Sequence, residues 1–304
     1  MKKLILALIM FPMWAVAQDK LNESNYRIYS VKLGKEVSIK TVATDMDNYD
    51  VLLFGEEHND SVTHYLEYTL LELLHLKFGN ELALSLEMFD RDVQPVMDEY
   101  LKGFITEKHF KKDSRAWSNY RDYKPMVMFA KEKQLDVVCA NAPTRYTNLA
   151  GRKGQGALDQ LPDESKEYFA PLPYDTASGK YYLKLMDLTH TPAGDTSKKA
   201  MPAAMRNFNM ILSQSLWDAT MANSIVKYIK KNKGKKVMHV NGRFHSDEGF
   251  GVATQLDNYN SKLTHLVIST ASDESFPNIK WEEYKKMGDY IIITDPKVPK
   301  TYKD

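Results

Sequence analysis

Cysteine is almost absent from this chain of 304 residues, whose only cysteine is Cys139. A single cysteine cannot pair within the chain, so no internal disulfide is expected. Basic side chains are not in excess either, since 41 lysines and arginines face 40 aspartates and glutamates. This balance gives no support to a nucleic-acid partner, which a strongly basic protein would suggest. The sequence also lacks internal repeats and low-complexity stretches.

Long apolar runs are lacking after the amino terminus, where one run extends from Leu4 to Val16 behind two lysines. It is shorter than the roughly 20 apolar residues that a membrane-spanning helix needs. Ala15-Val16-Ala17 has the small-x-small form of a signal-peptidase site. We therefore predict an exported protein, periplasmic or at the cell surface, from which residues 1–17 are removed as a signal peptide. This segment contains no cysteine that could carry a lipid.

Short apolar runs alternate with helical patterns along most of the chain. Buried strands are predicted at Val51–Phe54, Leu82–Leu86, Val137–Ala140, Val237–Val240, Leu263–Ser269 and Tyr290–Thr294, and an edge strand at Arg27–Val31. Helical spacing of apolar residues predicts helices over 62–78, 93–101, 125–133 and 208–231. This alternation favours an α/β fold with a mostly parallel sheet flanked by helices.

The alternation breaks in the middle of the chain, where glycine, proline, tyrosine and lysine are interspersed. We predict that residues 142–206 form a smaller helical insertion domain. The large α/β domain would then consist of residues 18–141 and 207–304.

Polar side chains follow the predicted strands, each just beyond the last apolar residue. In chain order they are Gly55-Glu56-Glu57-His58, Glu87, Asn141 and Asn241-Gly242-Arg243-Phe244-His245. Because ligands of open α/β sheets bind outside the carboxyl ends of the strands, these side chains should converge in one cleft. His58, Glu87 and His245 would together suit a divalent ion such as zinc, manganese or iron. Glu56, Asn141 and Arg243 are predicted to line the same pocket.

Each of these residues also has an ordinary structural interpretation. A histidine alone could cap a helix or hydrogen-bond a loop, and Glu56 could be a first-turn acid that stabilises the following helix. Convergence at one sheet edge favours a functional role for His58, Glu87 and His245 taken together. Three aromatic residues, Trp117, Tyr120 and Tyr123, could either line the mouth of the pocket or pack helices.

Six segments in order along the chain carry a resemblance to a known family. They are Phe54-Gly-Glu-Glu-His-Asn-Asp60, Leu86-Glu-Met-Phe-Asp-Arg-Asp-Val-Gln94, Tyr120 to Pro125, Ala140-Asn-Ala-Pro143, Trp217-Asp-Ala-Thr-Met-Ala222 and Gly242-Arg-Phe-His245. These motifs resemble those of the ChaN-like family, which is grouped with the Tiki and erythromycin-esterase-like proteins. The resemblance implies a haem-binding protein of haem and iron acquisition. Its partners would be haem and, as open candidates, an outer-membrane haem receptor and a second copy of the chain.

Haem needs an axial donor such as tyrosine, histidine or methionine, and an apolar surface for the macrocycle. The predicted insertion supplies such side chains, and we expect Tyr182 or His190 to bind haem. The wider superfamily implies an alternative function, metal-dependent hydrolysis. In that case His58, Glu87 and His245 would hold a divalent ion, and Glu87 and Glu57 would be the catalytic candidates. We favour the haem-binding function.

Overall fold

The computed structural model describes residues 21–187 and 203–302, of which 203–208 are described by their backbone alone. The helices in these ranges are α1 (Ile39–Asp45), α2 (Ser61–Phe78), α3 (Gln94–Leu101), α4 (Glu107–Asp113), α5 (Tyr120–Lys133), α6 (Thr144–Lys153), α7 (Gln155–Asp159), α8 (Asp163–Lys166), α9 (Gly179–Asp187), α10 (Ala203–Lys231) and α11 (Val252–Tyr259). Within the described ranges, no helix is both long and apolar enough to cross a membrane.

The strands are β1 (Tyr26–Ser30), β2 (Lys35–Val37), β3 (Val51–Glu56), β4 (Leu82–Asp90), β5 (Asp136–Asn141), β6 (Lys236–Gly242), β7 (His265–Ser272) and β8 (Tyr290–Thr294). They form one sheet in the order β2-β1-β8-β7-β3-β6-β4-β5. The six strands from β8 to β5 are parallel, while β1 is antiparallel to both of its neighbours. The predicted α/β fold with a mostly parallel sheet is confirmed.

Helices cover both faces of the central strands, which explains why those strands are continuous apolar runs. Successive side chains of a strand point to opposite faces. On β3, Leu52 and Phe54 therefore pack in the cluster that contains α2 and α5 side chains such as Leu70. Val51 and Leu53 point the other way, into a second cluster with side chains of α10 and α11.

One predicted strand position and two predicted element boundaries were wrong. The strand near Arg27 is not at the edge, because the short and exposed β2 pairs with its outer side. Helix α5 begins at Tyr120 rather than at Pro125, and the proline gives up one backbone hydrogen bond inside the helix. Strand β4 continues beyond Leu86 to Asp90, because buried Met88 and Phe89 extend its apolar contacts.

The segment predicted as an insertion is helical where it is described, and contains α6 to α9. It packs on α10 through an aromatic cluster in which Tyr146 and Phe169 share the core with Leu216 and Ala219. The indole N–H of Trp217 donates to the carbonyl of Ala142 across this contact. The domain boundaries at 142 and 206 stay a prediction.

Candidate functional site at the carboxyl ends of the strands

The central strands β3, β6 and β4 are adjacent and parallel, so their carboxyl ends meet at one edge. From β3 the chain goes on to β4 and β5 on one side, and later places β7 and β8 on the other. Such a reversal of strand order leaves a crevice at the strand ends. His58 follows β3, Glu87 lies in β4, and His245 ends a 3₁₀ turn that follows β6. The topology therefore brings the three predicted residues to the same edge.

Glu87 is a buried carboxylate that connects β4 with the end of β6. Its Oε2 accepts the backbone N–H of Gly242 at 2.6 Å, and its Oε1 lies 3.6 Å from Nε2 of His245. The pairing of β4 with β5 is irregular between Leu86 and Asp90. Glu87 is therefore in a stretch where the strand departs from regular pairing, as often happens beside functional sites.

A buried aspartate of α10 bonds to the ring nitrogen of His245 that is farther from Glu87. Nδ1 of His245 donates to Oδ1 of Asp218 at 2.6 Å, and Oδ2 of the same aspartate accepts the Tyr181 hydroxyl of α9 at 2.6 Å. Burial by itself would lower the pKa of His245, but the charges of Glu87 and Asp218 outweigh it and raise the pKa. Burial also raises the pKa of Asp218. The imidazole is therefore fixed with Nε2 towards Glu87.

His58 is held in the same way from the other side. Its Nδ1 bonds to Oε1 of Glu56 at 2.7 Å, and the Tyr123 hydroxyl donates to that same oxygen at 2.7 Å. The Trp117 ring contacts the imidazole edge-on, with centroids 5.3 Å apart. Burial opposes the charged form, but the bond to Glu56 and the charge of Glu87 raise the pKa of His58 to about 9.

Gly242 makes room for the His58 ring. A Cβ atom at position 242 would lie 2.7 Å from Nε2 of His58 and 3.7 Å from Oε2 of Glu87. Any larger residue would therefore displace the imidazole or the turn. This close approach also shows that Nε2 of His58 points towards the turn that carries His245.

Both histidines thus bond to a buried carboxylate through Nδ1 and present Nε2 towards Glu87. Histidines that ligate metals commonly donate their second ring nitrogen to a carboxylate in this way. The three ligand atoms do not form a compact set, however. Among the described residues, the only three-ligand group within 4.8 Å involves other side chains. A single ion held by His58, Glu87 and His245 would require them to draw closer together.

A family model described as "Haem-binding uptake, Tiki superfamily, ChaN" matches residues 42–256. The chain belongs to this family. Among curated protein sequences none matches. A solved structure of cofacial haem binding to ChaN of Campylobacter jejuni is 15% identical with a TM-score of 0.68. The match covers 90% of this chain and 98% of that one, and it shows that the two share a fold.

Two further solved structures are more distant. A mutant of the erythromycin esterase EreC in its open conformation is 10% identical with a TM-score of 0.49, over 90% of this chain and 99% of that one. The type III effector HopBA1 is 12% identical with a TM-score of 0.47, over 84% of this chain and 93% of that one. Likenesses at this level support no functional conclusion.

The other predicted residues of this ChaN-family protein have different surroundings. Glu57 accepts a hydrogen bond from Nε of Arg243 at 3.1 Å, so these two side chains pair with each other at the rim of the site. Asn141 ends β5, and its Oδ1 accepts the backbone N–H of Ala142. Tyr182 is 36% exposed on α9. His190 lies outside the described residues.

No role was predicted for Asp218 or Tyr181. Asp218 belongs to the Trp217-Asp-Ala-Thr segment, so the resemblance contained the only available signal for it. Tyr181 is adjacent to the predicted haem residue, but the helix turns its hydroxyl inward to Asp218. Tyr123 was expected either to line the mouth of the pocket or to pack helices. Its hydroxyl donates to Glu56 beside His58.

Proposed function

We propose that this protein binds haem on the outer face of α9 and that, after export, it takes part in haem and iron acquisition. The family to which the chain belongs supports haem binding. The observation that carries the location is an exposed tyrosine beside an exposed leucine. Tyr182 is 36% and Leu183 62% exposed. A phenol oxygen with adjoining apolar surface provides an axial donor and a contact for the macrocycle.

Helix α9 presents this face because its other side is already packed. Tyr181 and Leu185, four residues apart on the helix, are buried with Ile211, and Phe250 packs against them. Tyr182 and Leu183 are consequently left outward. Lys180 is exposed on the same helix and offers a cation for a haem carboxylate. The bound haem would be cargo, and it would bring its iron with it.

The second candidate function is metal-dependent hydrolysis at the strand ends. It is favoured by one specific observation, the matched bonding of both histidines to buried carboxylates through Nδ1. With Nδ1 bonded to a carboxylate, each Nε2 could ligate an ion together with Glu87. The ion could then activate a water molecule. Glu57 is a weaker candidate for catalysis, because Arg243 already holds it.

A haemin titration on matched variants separates the two functions. We expect Tyr182→Phe to lose or shift the Soret band, because only the axial oxygen is removed. Tyr168→Phe, in the same segment, serves as the control and should leave the band unchanged. His58→Ala and His245→Ala should also leave it largely intact, because much of the affinity of a large porphyrin comes from apolar contact.

Elemental analysis on the same variants tests the second function. Metal retained by the wild type and lost in both histidine variants, with no Soret response in any protein, would favour the hydrolase and contradict the haem proposal. A Soret response that vanishes in a histidine variant but persists in Tyr182→Phe would move the haem site from α9 to the strand ends.

Export is part of the proposal and has its own test. We propose cleavage after Ala17, so the intact mass of the exported protein should correspond to a chain that begins with Gln18. A mass that includes residues 1–17 would contradict it. An outer-membrane haem receptor and a homodimer are the partners that we propose for haem transfer. Co-purification with such a receptor and the oligomeric state in the presence of haemin test these two partners.

A further inference from the structure

A second group of metal-ligand side chains lies on the other side of Glu56. Oε1 of Glu56 holds His58, but Oε2 faces α2, where His64 and Glu67 are one helical turn apart. Glu56, His64 and Glu67 are only 1%, 8% and 0% exposed. One potential ligand atom from each lies within 4.8 Å of the other two. None of these three residues is a predicted ligand of the strand-end ion.

The backbone places a proton on one ring nitrogen of His64. Its Nε2 lies 3.1 Å from the carbonyl oxygen of His58. A carbonyl oxygen can only accept, so Nε2 carries the proton and donates. The opposite nitrogen, Nδ1, points between two carboxylates, 3.2 Å from Oε2 of Glu56 and 3.3 Å from Oε2 of Glu67. Without an ion, Nδ1 would carry a proton shared with these two carboxylates, and a bound ion would take the place of that proton.

The carboxylates around His64 have polar atoms that lack partners. Oε2 of Glu56 and Oε1 of Glu67 are buried without a hydrogen bond, and so is Oδ2 of Asp122, 4.0 Å from Nε2 of His64. In the described part of the chain, the ion pairs of Glu56 and Glu67 involve histidines only, with no lysine or arginine. Buried carboxylates are costly unless they are neutralised, and in this cluster only protons or a bound cation can do so.

We propose that Glu56, His64 and Glu67 bind a divalent transition-metal ion between β3 and α2. Ligands about 2.0–2.2 Å from a tetrahedral ion lie roughly 3.3–3.6 Å from one another. The two distances from Nδ1 of His64, 3.2 and 3.3 Å, are close to that separation. They are longer than the about 2.7–2.9 Å of a strong charged hydrogen bond.

The charges and the ligand types agree with this assignment. Two carboxylates and a neutral imidazole balance a doubly charged ion. One nitrogen and several oxygen ligands suit zinc, manganese or iron. The bond from Nε2 of His64 to the His58 carbonyl is the kind of outer interaction that orients a ligating histidine. Oε1 of Glu67, which is unpartnered, could serve as a second donor from the same carboxylate.

An ion at this position would also affect the strand-end site. Glu56 would be fixed through Oε2, and its Oε1 would then hold His58 and the Tyr123 hydroxyl in place. The ion is thus separate from the strand-end ligands and supports one of them through a shared carboxylate.

The test measures metal content in the full exported chain, purified without a polyhistidine tag and refolded in the presence of Zn²⁺. We expect about one zinc per chain in the wild type. Glu67→Gln should retain at least about ten-fold less, because it removes a charged ligand. Glu72→Gln is the matched control on the same helix and should retain the wild-type amount. Glu87→Gln, which alters only the strand-end site, should also retain it.

Anomalous scattering at the zinc edge provides a second measurement that needs no variant. The proposal predicts a peak within about 2.3 Å of Nδ1 of His64 in wild-type crystals. It is overturned if the wild type retains no zinc, which would mean that protons alone neutralise the cluster. It is also overturned if zinc is lost in Glu87→Gln but kept in Glu67→Gln, or if the peak lies only between His58 and His245.

Discussion

Replacing Asp218 by asparagine should be among the most destabilising conservative changes in this protein. Asp218 is 1% exposed and accepts two hydrogen bonds of 2.6 Å, from His245 and from Tyr181. Hydrogen bonds to charged groups contribute about 1.5–3 kcal/mol each. Removing one partner of a buried ion pair costs about 3–5 kcal/mol. We therefore expect Asp218→Asn to lower the free energy of unfolding by about 3–5 kcal/mol.

Tyr181→Phe provides the matched comparison, because it removes one bond and keeps the carboxylate. It should cost about 1.5–3 kcal/mol. In the double variant the tyrosine change should add little to Asp218→Asn, since the oxygen that accepted its bond is already altered. Urea unfolding followed by tryptophan fluorescence measures all three free energies. A loss below about 0.5 kcal/mol in Asp218→Asn, the size of an ordinary surface change, would refute the claim that this aspartate ties α9 and α10 to the site.

Two further predictions concern the strand-end site and its surroundings. Gly242→Ala keeps a permitted backbone, since φ is −55°, but its Cβ would displace His58. The NMR chemical shifts of the His58 imidazole should therefore change in this variant. They should not change in Gly156→Ala, where the space around the glycine is open. Burial and the charge of His245 lower the pKa of His239 to about 3. Below pH 6.5 the unfolded state therefore binds a proton that the folded state excludes, and stability falls by up to about 1.4 kcal/mol per pH unit towards pH 3. Urea unfolding of His239→Asn should show a shallower loss, and an unchanged slope would contradict this.

Much of the sheet could be predicted because parallel strands are covered on both faces. Val51 to Phe54 is a continuous apolar run, and all of β3 is buried. In contrast, β2 was not predicted, since Lys35-Glu36-Val37 is short and exposed and carries no alternation. Because β2 was not predicted, β1 was expected to be the edge strand.

The strand-end residues could be predicted from their positions in the sequence, whereas the groups that hold them could not. His58, Glu87 and His245 follow apolar runs, and the order of a parallel sheet brings such ends together. Asp218 comes from the middle of a helix, where an aspartate ordinarily faces solvent, and its contact with His245 depends on how α10 packs. His64 and Glu67 likewise face Glu56 because α2 lies against β3. Contacts of this kind depend on packing that a single sequence does not show.

The most direct test of the central claim is a visible absorption titration of the purified wild-type protein with haemin. We expect a saturable Soret change that reaches a defined ratio of haem to protein, and a lost or shifted band in Tyr182→Phe. A wild type without a saturable Soret change would contradict haem binding itself. A normal titration in Tyr182→Phe would contradict the axial role of that tyrosine.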